Sequence, residues 1–144
     1  MASVLIPLAE GCEELEAVTL IDLLRRAGVT VTTTSLSNQV QLTASRHVRL
    51  IADTLLDEVI HDDFDMLLMP GGQPGTTHLD EDHRIHAMIK RMYEGGKYIA
   101  AICAAPVVLA SSGVLNGRRA TSYPGALVPE TWPDIEITDD PIVI

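Results

Sequence analysis

Cys103 stands where a thiol can do chemistry. The run Tyr98-Ile99-Ala100-Ala101-Ile102 before it reads as a buried strand, and Val107-Val108-Leu109-Ala110 behind it reads as a helix. Pro106 suits the first helical turn, where its missing N–H would have had no intrahelical partner. A cysteine at such a turn faces free backbone N–H groups and the positive end of a helix dipole, which predicts a thiol pKa below the usual ~8.5. Ala101 and Ala105 flank it two positions away on either side, and a sharp nucleophile elbow needs small residues at those places. Taken alone, the stretch also fits a buried structural cysteine, since free cysteine is among the most buried residue types.

Two further segments offer groups that a thiolate could use. Glu13-Glu14-Leu15-Glu16 supplies carboxylates able to move a proton. Periodicity does not choose among Glu13, Glu14 and Glu16, although Glu16 is spaced to share a helix face with Leu20 and Leu23. Pro70-Gly71-Gly72-Gln73-Pro74-Gly75 reads as a loop that can bring backbone N–H groups close, because glycine tolerates φ > 0 and carries no side chain.

The elements that must position these groups follow from the apolar pattern. Val4–Leu8 reads as a first strand, and Gly11 turns the chain into a helix from Glu13 to about Ala27. Acidic residues in its first turn, Arg25-Arg26 in its last and Gly28 beyond it suit both ends. Val29–Ser35 reads as a second strand, so the chain opens with a βαβ unit and the sheet is expected to be parallel. Val40–Thr43 and Val48–Ala52 read as a hairpin or paired edge strands, and Thr54–Ile60 as a short helix at most. Asp65–Met69 has no polar alternation and should be covered on both faces. The spacing predicts a helix over Glu81–Glu94 closed by Gly95-Gly96, with Asp80–Asp82 as its start. Another helix should end near Gly113, Arg119–Ser122 reads as a strand, and the two apolar patches of Asp134–Ile144 each read as a strand. Ligands sit at the carboxyl ends of strands in such sheets, where Glu13–Glu16, the glycine loop and Cys103 converge.

Composition bounds the rest. The 144 residues predict one domain, and 47% hydrophobic content supports a real core. A net charge of −10 argues against nucleic acid as a partner. No apolar run is long enough for a membrane helix, and the start has no basic region of a signal peptide. Two cysteines do not make a disulfide framework, so a reducing cytoplasm is the expected compartment.

Ala9-Glu10-Gly11-Cys12-Glu13-Glu14-Leu15-Glu16-Ala17-Val18, Leu68-Met69-Pro70-Gly71-Gly72 and Ala100-Ala101-Ile102-Cys103-Ala104-Ala105-Pro106 together resemble the ThiJ/PfpI superfamily. The resemblance is closest to the branch of the Parkinsonism-associated protein deglycase and its bacterial relatives, and it covers essentially the whole chain. It implies an α/β three-layer sandwich with a mostly parallel sheet, of the flavodoxin-like, class I glutamine amidotransferase-like kind. It makes Cys103 the reactive residue and places Glu16, protonated, beside the thiolate. The N–H groups of Gly72 and Ala104 match the family's oxyanion site. Expected function follows: a cofactor-independent, cysteine-dependent deglycase or glyoxalase, acting on 2-oxoaldehydes or their early glycated adducts and protecting against carbonyl and oxidative stress. The alternative is a cysteine redox sensor or stress-protective chaperone without turnover. A homodimer is also implied.

The chain departs from that pattern in places. Tyr123 stands where many relatives have a histidine, which puts a Cys–His pair in doubt. Ala104 replaces the histidine of the protease-like branch, which speaks against a peptidase. Relatives run on past the position of Ile144 through a Gly-Pro-Gly-Thr turn and a final helix, so 1–144 reads as a single ThiJ/PfpI-type domain lacking that segment, with one sheet face less covered. Arg26 and Arg46 match basic residues near the site, partly across a dimer interface; otherwise they are a helix-end charge and a turn charge. His78 is within reach of Cys103 or is a loop polar residue. Cys12 is incidental or a second oxidisable thiol. His83 and His86 have the spacing of a metal pair but no third ligand, so an exposed helix face is expected and no metal site.

Overall fold

The computed structural model describes Met1–Ile144. Strand β1 (Ser3–Leu8) shows why its sequence is apolar throughout. Val4, Ile6 and Leu8 belong to one buried cluster and Leu5 to another on the opposite face, so neither side meets water. Helix α1 (Glu14–Arg26) returns the chain to β2 (Thr30–Ser35), which pairs parallel with β1 from Ser3↔Thr30 to Leu8↔Ser35. Its N-cap is Glu13, whose carboxylate accepts from the Glu16 N–H at 2.8 Å. At the other end Gly28 takes φ 80°, a conformation glycine adopts without strain.

The chain then forms a separate antiparallel hairpin, β3 (Gln41–Thr43) with β4 (Arg49–Ile51). Strand β5 (Thr54–Leu55) and helix α2 (Leu56–Val59) follow, then β6 (Met66–Met69). Helices α3 (Gly75–Glu81) and α4 (His83–Glu94) lead to β7 (Tyr98–Ala101) and helix α5 (Pro106–Ser112). Two short strands, β8 (Arg119–Ala120) and β9 (Glu136–Ile137), pair parallel beside them. The central sheet has the order β5-β2-β1-β6-β7, parallel throughout.

Helices sit on both faces. Leu20, Ile21 and Leu24 of α1, with Leu42 and Leu50 of the hairpin, pack on the side of Val4, Ile6 and Leu68. Leu56, Leu79, Ile85, Met88, Ile89, Met92 and Val108, from α2 to α5, pack on the side of Leu5, Leu67 and Met69. The strand order reverses between β1 and β6, since β1 connects outward to β2 while β6 returns on its other side. That is the position where parallel sheets open a crevice at their carboxyl ends. No helix is long and apolar enough to cross a membrane.

Several expectations need correction. The segment after the glycine loop is helical from Gly75, not an extension of the loop, because Gly75, Thr76 and Leu79 are buried there. Helix α4 consequently starts at His83, capped by Asp82, whose Oδ1 accepts from the Arg84 N–H at 2.9 Å. Asp80 belongs to α3 instead. Thr54–Leu55 joins the central sheet through Thr34 and Ser35 rather than starting a helix. Only one patch of the tail pairs as a strand; Ile142 is 75% exposed and stays outside any sheet.

Candidate active site around Cys103

Strand β7 ends at Ala101 and α5 begins at Pro106, so Cys103 lies on the turn between them. Its backbone takes φ 57°, left-handed for a residue with a Cβ. That conformation strains the backbone by an order of 1–3 kcal/mol and persists only where the surroundings enforce it. Two hydrogen bonds anchor the turn: Ala105 N–H donates to Ile102 O at 3.0 Å, and Tyr123 N–H donates to Cys103 O at 2.7 Å.

The glycine loop closes on this turn from β6. A Cβ at Gly71 would lie 2.8 Å from Cys103 Cβ and 2.9 Å from Ala104 N. Gly72 takes φ 89°, and a Cβ there would lie 2.5 Å from Glu13 N. Glu13 N–H in turn donates to Gly71 O at 2.9 Å. The three segments singled out in the sequence therefore touch through their backbones, and two glycines are needed because no side chain fits between them.

Each glutamate of the Glu-Glu-Leu-Glu run has its own place. Glu13 caps α1. The Glu14 carboxylate accepts from Ser45 Oγ at 2.9 Å and from the N–H groups of Arg46 and Val48, so it ties the hairpin turn to α1. Those donors hold its carboxyl below the usual carboxylate range despite some desolvation. Glu16 is the one that acts on the Cys103 sulfur. Its Oε2 is sealed from solvent and has no hydrogen-bond partner.

The thiol does not behave as the turn alone predicts. Burial pushes Cys103 above its ordinary value, and the Glu16 carboxyl pushes it further. The Ala104 and Gly72 N–H groups reach the sulfur and pull the other way without cancelling that rise. The expected donors are in place, but desolvation and a neighbouring carboxyl outweigh them. The arrangement can therefore keep a proton on sulfur at rest, with an unpartnered carboxyl oxygen nearby to receive it.

Cys103 opens on a cleft of about 700 Å³, lined also by Ile102, Pro106, Ser122, Tyr123, Thr138 and Asp139 among others. Tyr123 is 63% exposed and borders the cleft, so the residue standing in place of histidine is at the site. His78 is not: its Nδ1–H donates to Glu10 O at 2.7 Å. Neither Arg26 nor Arg46 lines the cleft. Arg26 pairs with Asp22 at 2.8 Å, and Arg46 is an exposed turn residue whose main chain Glu14 holds. Cys12 is fully buried and its thiol is pushed up to about 12, chiefly by desolvation, so it is not a second accessible thiol. His86 is half-buried rather than on a bare face; its Nε2–H donates to Asp80 O at 2.7 Å. Sequence reasoning missed the close approach of Gly71 to the elbow, signalled only by Pro-Gly-Gly itself, and the Glu14 clamp, which no local signal announces.

Known proteins share this arrangement of elements. Protein dj-1beta of Drosophila melanogaster is 39% identical over 142 residues, 99% of this chain and 75% of its own length. Its crystal structure superimposes with a TM-score of 0.91, covering 99% of this chain and 76% of that one at 38% identity. A protein named as a deglycase from Thermococcus kodakarensis is 38% identical over 83% of this chain and 70% of its own. The structure of Toxoplasma gondii DJ-1, described as oxidized, matches with a TM-score of 0.84 and 37% identity, covering 90% of this chain and 73% of that one. The pattern of the DJ-1/PfpI family runs from residue 2 to residue 144, and with a match of that extent the chain belongs to the DJ-1/PfpI family.

Proposed function

We propose that the protein is a cysteine-dependent deglycase or glyoxalase acting on small 2-oxoaldehydes or their early adducts. The observation that carries this reading is the Cys103 thiol on the cleft, with the Glu16 carboxyl and the Gly72 and Ala104 N–H groups all acting on one sulfur. The deglycase-named relative supports the reaction class.

The chemistry uses those groups in turn. Cys103 Sγ attacks the aldehyde carbon as its proton passes to Glu16, and an S–C bond forms while the carbonyl π pair moves to oxygen. Gly72 and Ala104 N–H groups stabilise that oxyanion, and Glu16 then protonates it to a hemithioacetal. Glu16, ionised again, takes the proton from the former aldehyde carbon and returns it to the adjacent ketone-derived carbon, while the hydroxyl proton on the first carbon passes to the ketone oxygen. The first carbon is oxidised to a thioester and the second reduced to an alcohol. Water cleaves the thioester, releasing a 2-hydroxy acid and the thiol. In an adduct, the amine or thiol of the glycated molecule leaves with a proton.

Methylglyoxal loss measured for the parent, Cys103→Ser and Glu16→Gln tests this. Cys103→Ser should abolish consumption, and Glu16→Gln should slow it by about 10²-fold or more. Equal rates in all three would overturn it.

A second reading draws on the oxidized Toxoplasma relative: Cys103 as a redox sensor. The two N–H groups at the sulfur could hold sulfinate oxygens as they would an oxyanion. Mild peroxide should then add two oxygens to the intact mass, and Cys103→Ala should take up none. A parent mass that does not change removes this reading.

A further inference from the structure

The strained turn at Cys103 is held from a distant part of the chain. The one donor to Cys103 O is Tyr123 N–H, at 2.7 Å, from the segment beyond α5 and β8. Tyr123 opens a tight reversal, Tyr123-Pro124-Gly125-Ala126, in which Ala126 N–H donates back to Tyr123 O at 3.0 Å and Gly125 takes φ 86°. Proline followed by a glycine at positive φ is the pattern of a type II turn. The Ser122 hydroxyl spans this reversal. It donates to Tyr123 O at 2.9 Å and accepts from Leu127 N–H at 3.2 Å. Leu127 is buried in one cluster with Ala110 of α5, Ala120 of β8 and Ile135, so the far end of the turn is fixed to the core. Its N–H has no other acceptor. One side-chain oxygen thus joins the two ends of a turn whose first N–H bears on the carbonyl of Cys103.

We propose that Ser122 is a positioning residue for the reaction at Cys103: its hydroxyl sets the turn that aims Tyr123 N–H at Cys103 O, and through that bond keeps the elbow left-handed. The inference rests on the reading of Cys103 as the reacting thiol. A positive φ at a residue with a Cβ persists only where the surroundings over-determine it. On one side the glycine loop presses on the elbow, with no room for a Cβ at Gly71. On the other, Tyr123 N–H holds the carbonyl. Without the hydroxyl, Leu127 N–H loses its acceptor and Tyr123 O loses one of its two donors, so the turn can swing and the bond to Cys103 slackens. The sulfur then leaves the place where Glu16 and the Gly72 and Ala104 N–H groups meet it. Burial and Glu16 raise the thiol there more than the two N–H groups lower it, so release moves its titration down, towards the ordinary value. Turnover falls at the same time, because the reacting atoms lose their alignment.

Four proteins test this: the parent, Ser122→Ala, Ser122→Thr and Ser122→Val. Threonine keeps a hydroxyl, and valine has the shape of threonine without it. Iodoacetamide alkylation at Cys103, followed by peptide mass across pH, gives the thiol midpoint. Hydrogen exchange at the Tyr123 amide reports its bond, and methylglyoxal loss gives kcat and KM. Ser122→Ala should bring the midpoint down by about half a pH unit. It should speed Tyr123 amide exchange about tenfold or more, and lower kcat about tenfold with KM little changed. Ser122→Val should behave like Ser122→Ala, and Ser122→Thr should lie close to the parent in all three. A general loss of stability would not lower the midpoint while slowing turnover. A midpoint and an amide exchange equal to the parent's in both Ser122→Ala and Ser122→Val overturn the proposal. So does a Ser122→Thr no nearer to the parent than Ser122→Val. A parent that consumes no methylglyoxal loses the deglycase reading, and the midpoint and the amide exchange still decide this one.

Discussion

At the level of single residues, the behaviour of Cys103 is a contest between solvent exclusion and hydrogen bonding. The backbone donors at Gly72 and Ala104 favour the thiolate, as a strand-to-helix turn leads one to expect. Burial and the Glu16 carboxyl favour the thiol and win. A thiol kept protonated is a weak nucleophile at rest but needs only one short transfer to become a strong one. Glu16 Oε2, enclosed without a partner, is suited to accept that proton, since a buried acceptor left empty costs about 1–3 kcal/mol. Replacing the carboxyl by an uncharged amide removes one of the causes that raise the thiol. Glu16→Gln should therefore shift the Cys103 thiolate titration to lower pH, read from thiolate absorbance in a Cys12→Ala background. A midpoint that stays or rises would mean that Glu16 stabilises the thiolate, as a protonated donor would.

At the level of elements, the site is a joint between three segments with little slack. Gly71 bears most directly on the sulfur, because the atoms a Cβ would strike, at 2.8 and 2.9 Å, belong to the strained turn itself. Gly71→Ala must displace that turn, and it should cost about 1–3 kcal/mol of stability and most of the Cys103 reactivity. Urea unfolding and alkylation rate measure the two; a variant with parental values in both would show that the turn can shift freely. How much of this was readable beforehand depended on range. The strands β1, β6 and β7 announce themselves through unbroken apolar runs, β2 through its valine- and threonine-rich run, and both ends of α1 through caps, which are local properties. Helix α3 did not, since Pro74 and Gly75 signal a loop and only burial of Thr76 and Leu79 makes it helical. Strand β5 exists because Thr54 and Leu55 find Thr34 and Ser35, a partner choice made across the sheet. The convergence of Glu16, Gly72 and Cys103 was legible from strand order and resemblance. The different jobs of Glu13, Glu14 and Glu16 were not, because each is set by a remote partner: the helix N-terminus, the hairpin or the sulfur.

For the molecule as a whole, the cluster between α1 and the sheet links the site to global stability through Cys12. Its side chain is fully buried with Ala17, Leu42, Ala44 and Leu8, and its carbonyl accepts from Ser45 N–H at 2.8 Å. Ionising that sulfur would place a charge in an apolar cluster beside Glu14, so the folded state holds its proton until about pH 12 while the unfolded chain releases it near 9.0. Between those values the native state binds more protons than the unfolded state, and the stability from this group, fully present below pH 9, falls as pH rises. The slope approaches 1.36 kcal/mol per pH unit, so about 2 kcal/mol should be lost by roughly pH 10.5. Cys12→Ala lacks the titration. It should be less stable than the parent at pH 7.5 by about 1 kcal/mol from the lost sulfur, yet should lose about 2 kcal/mol less between pH 7.5 and 10.5. Contributions from Cys103, tyrosines and lysines are common to both proteins and cancel in that difference. Urea unfolding under reducing conditions at the two pH values reads it directly, and equal losses in parent and variant would show that the α1 side of the core admits water to Cys12.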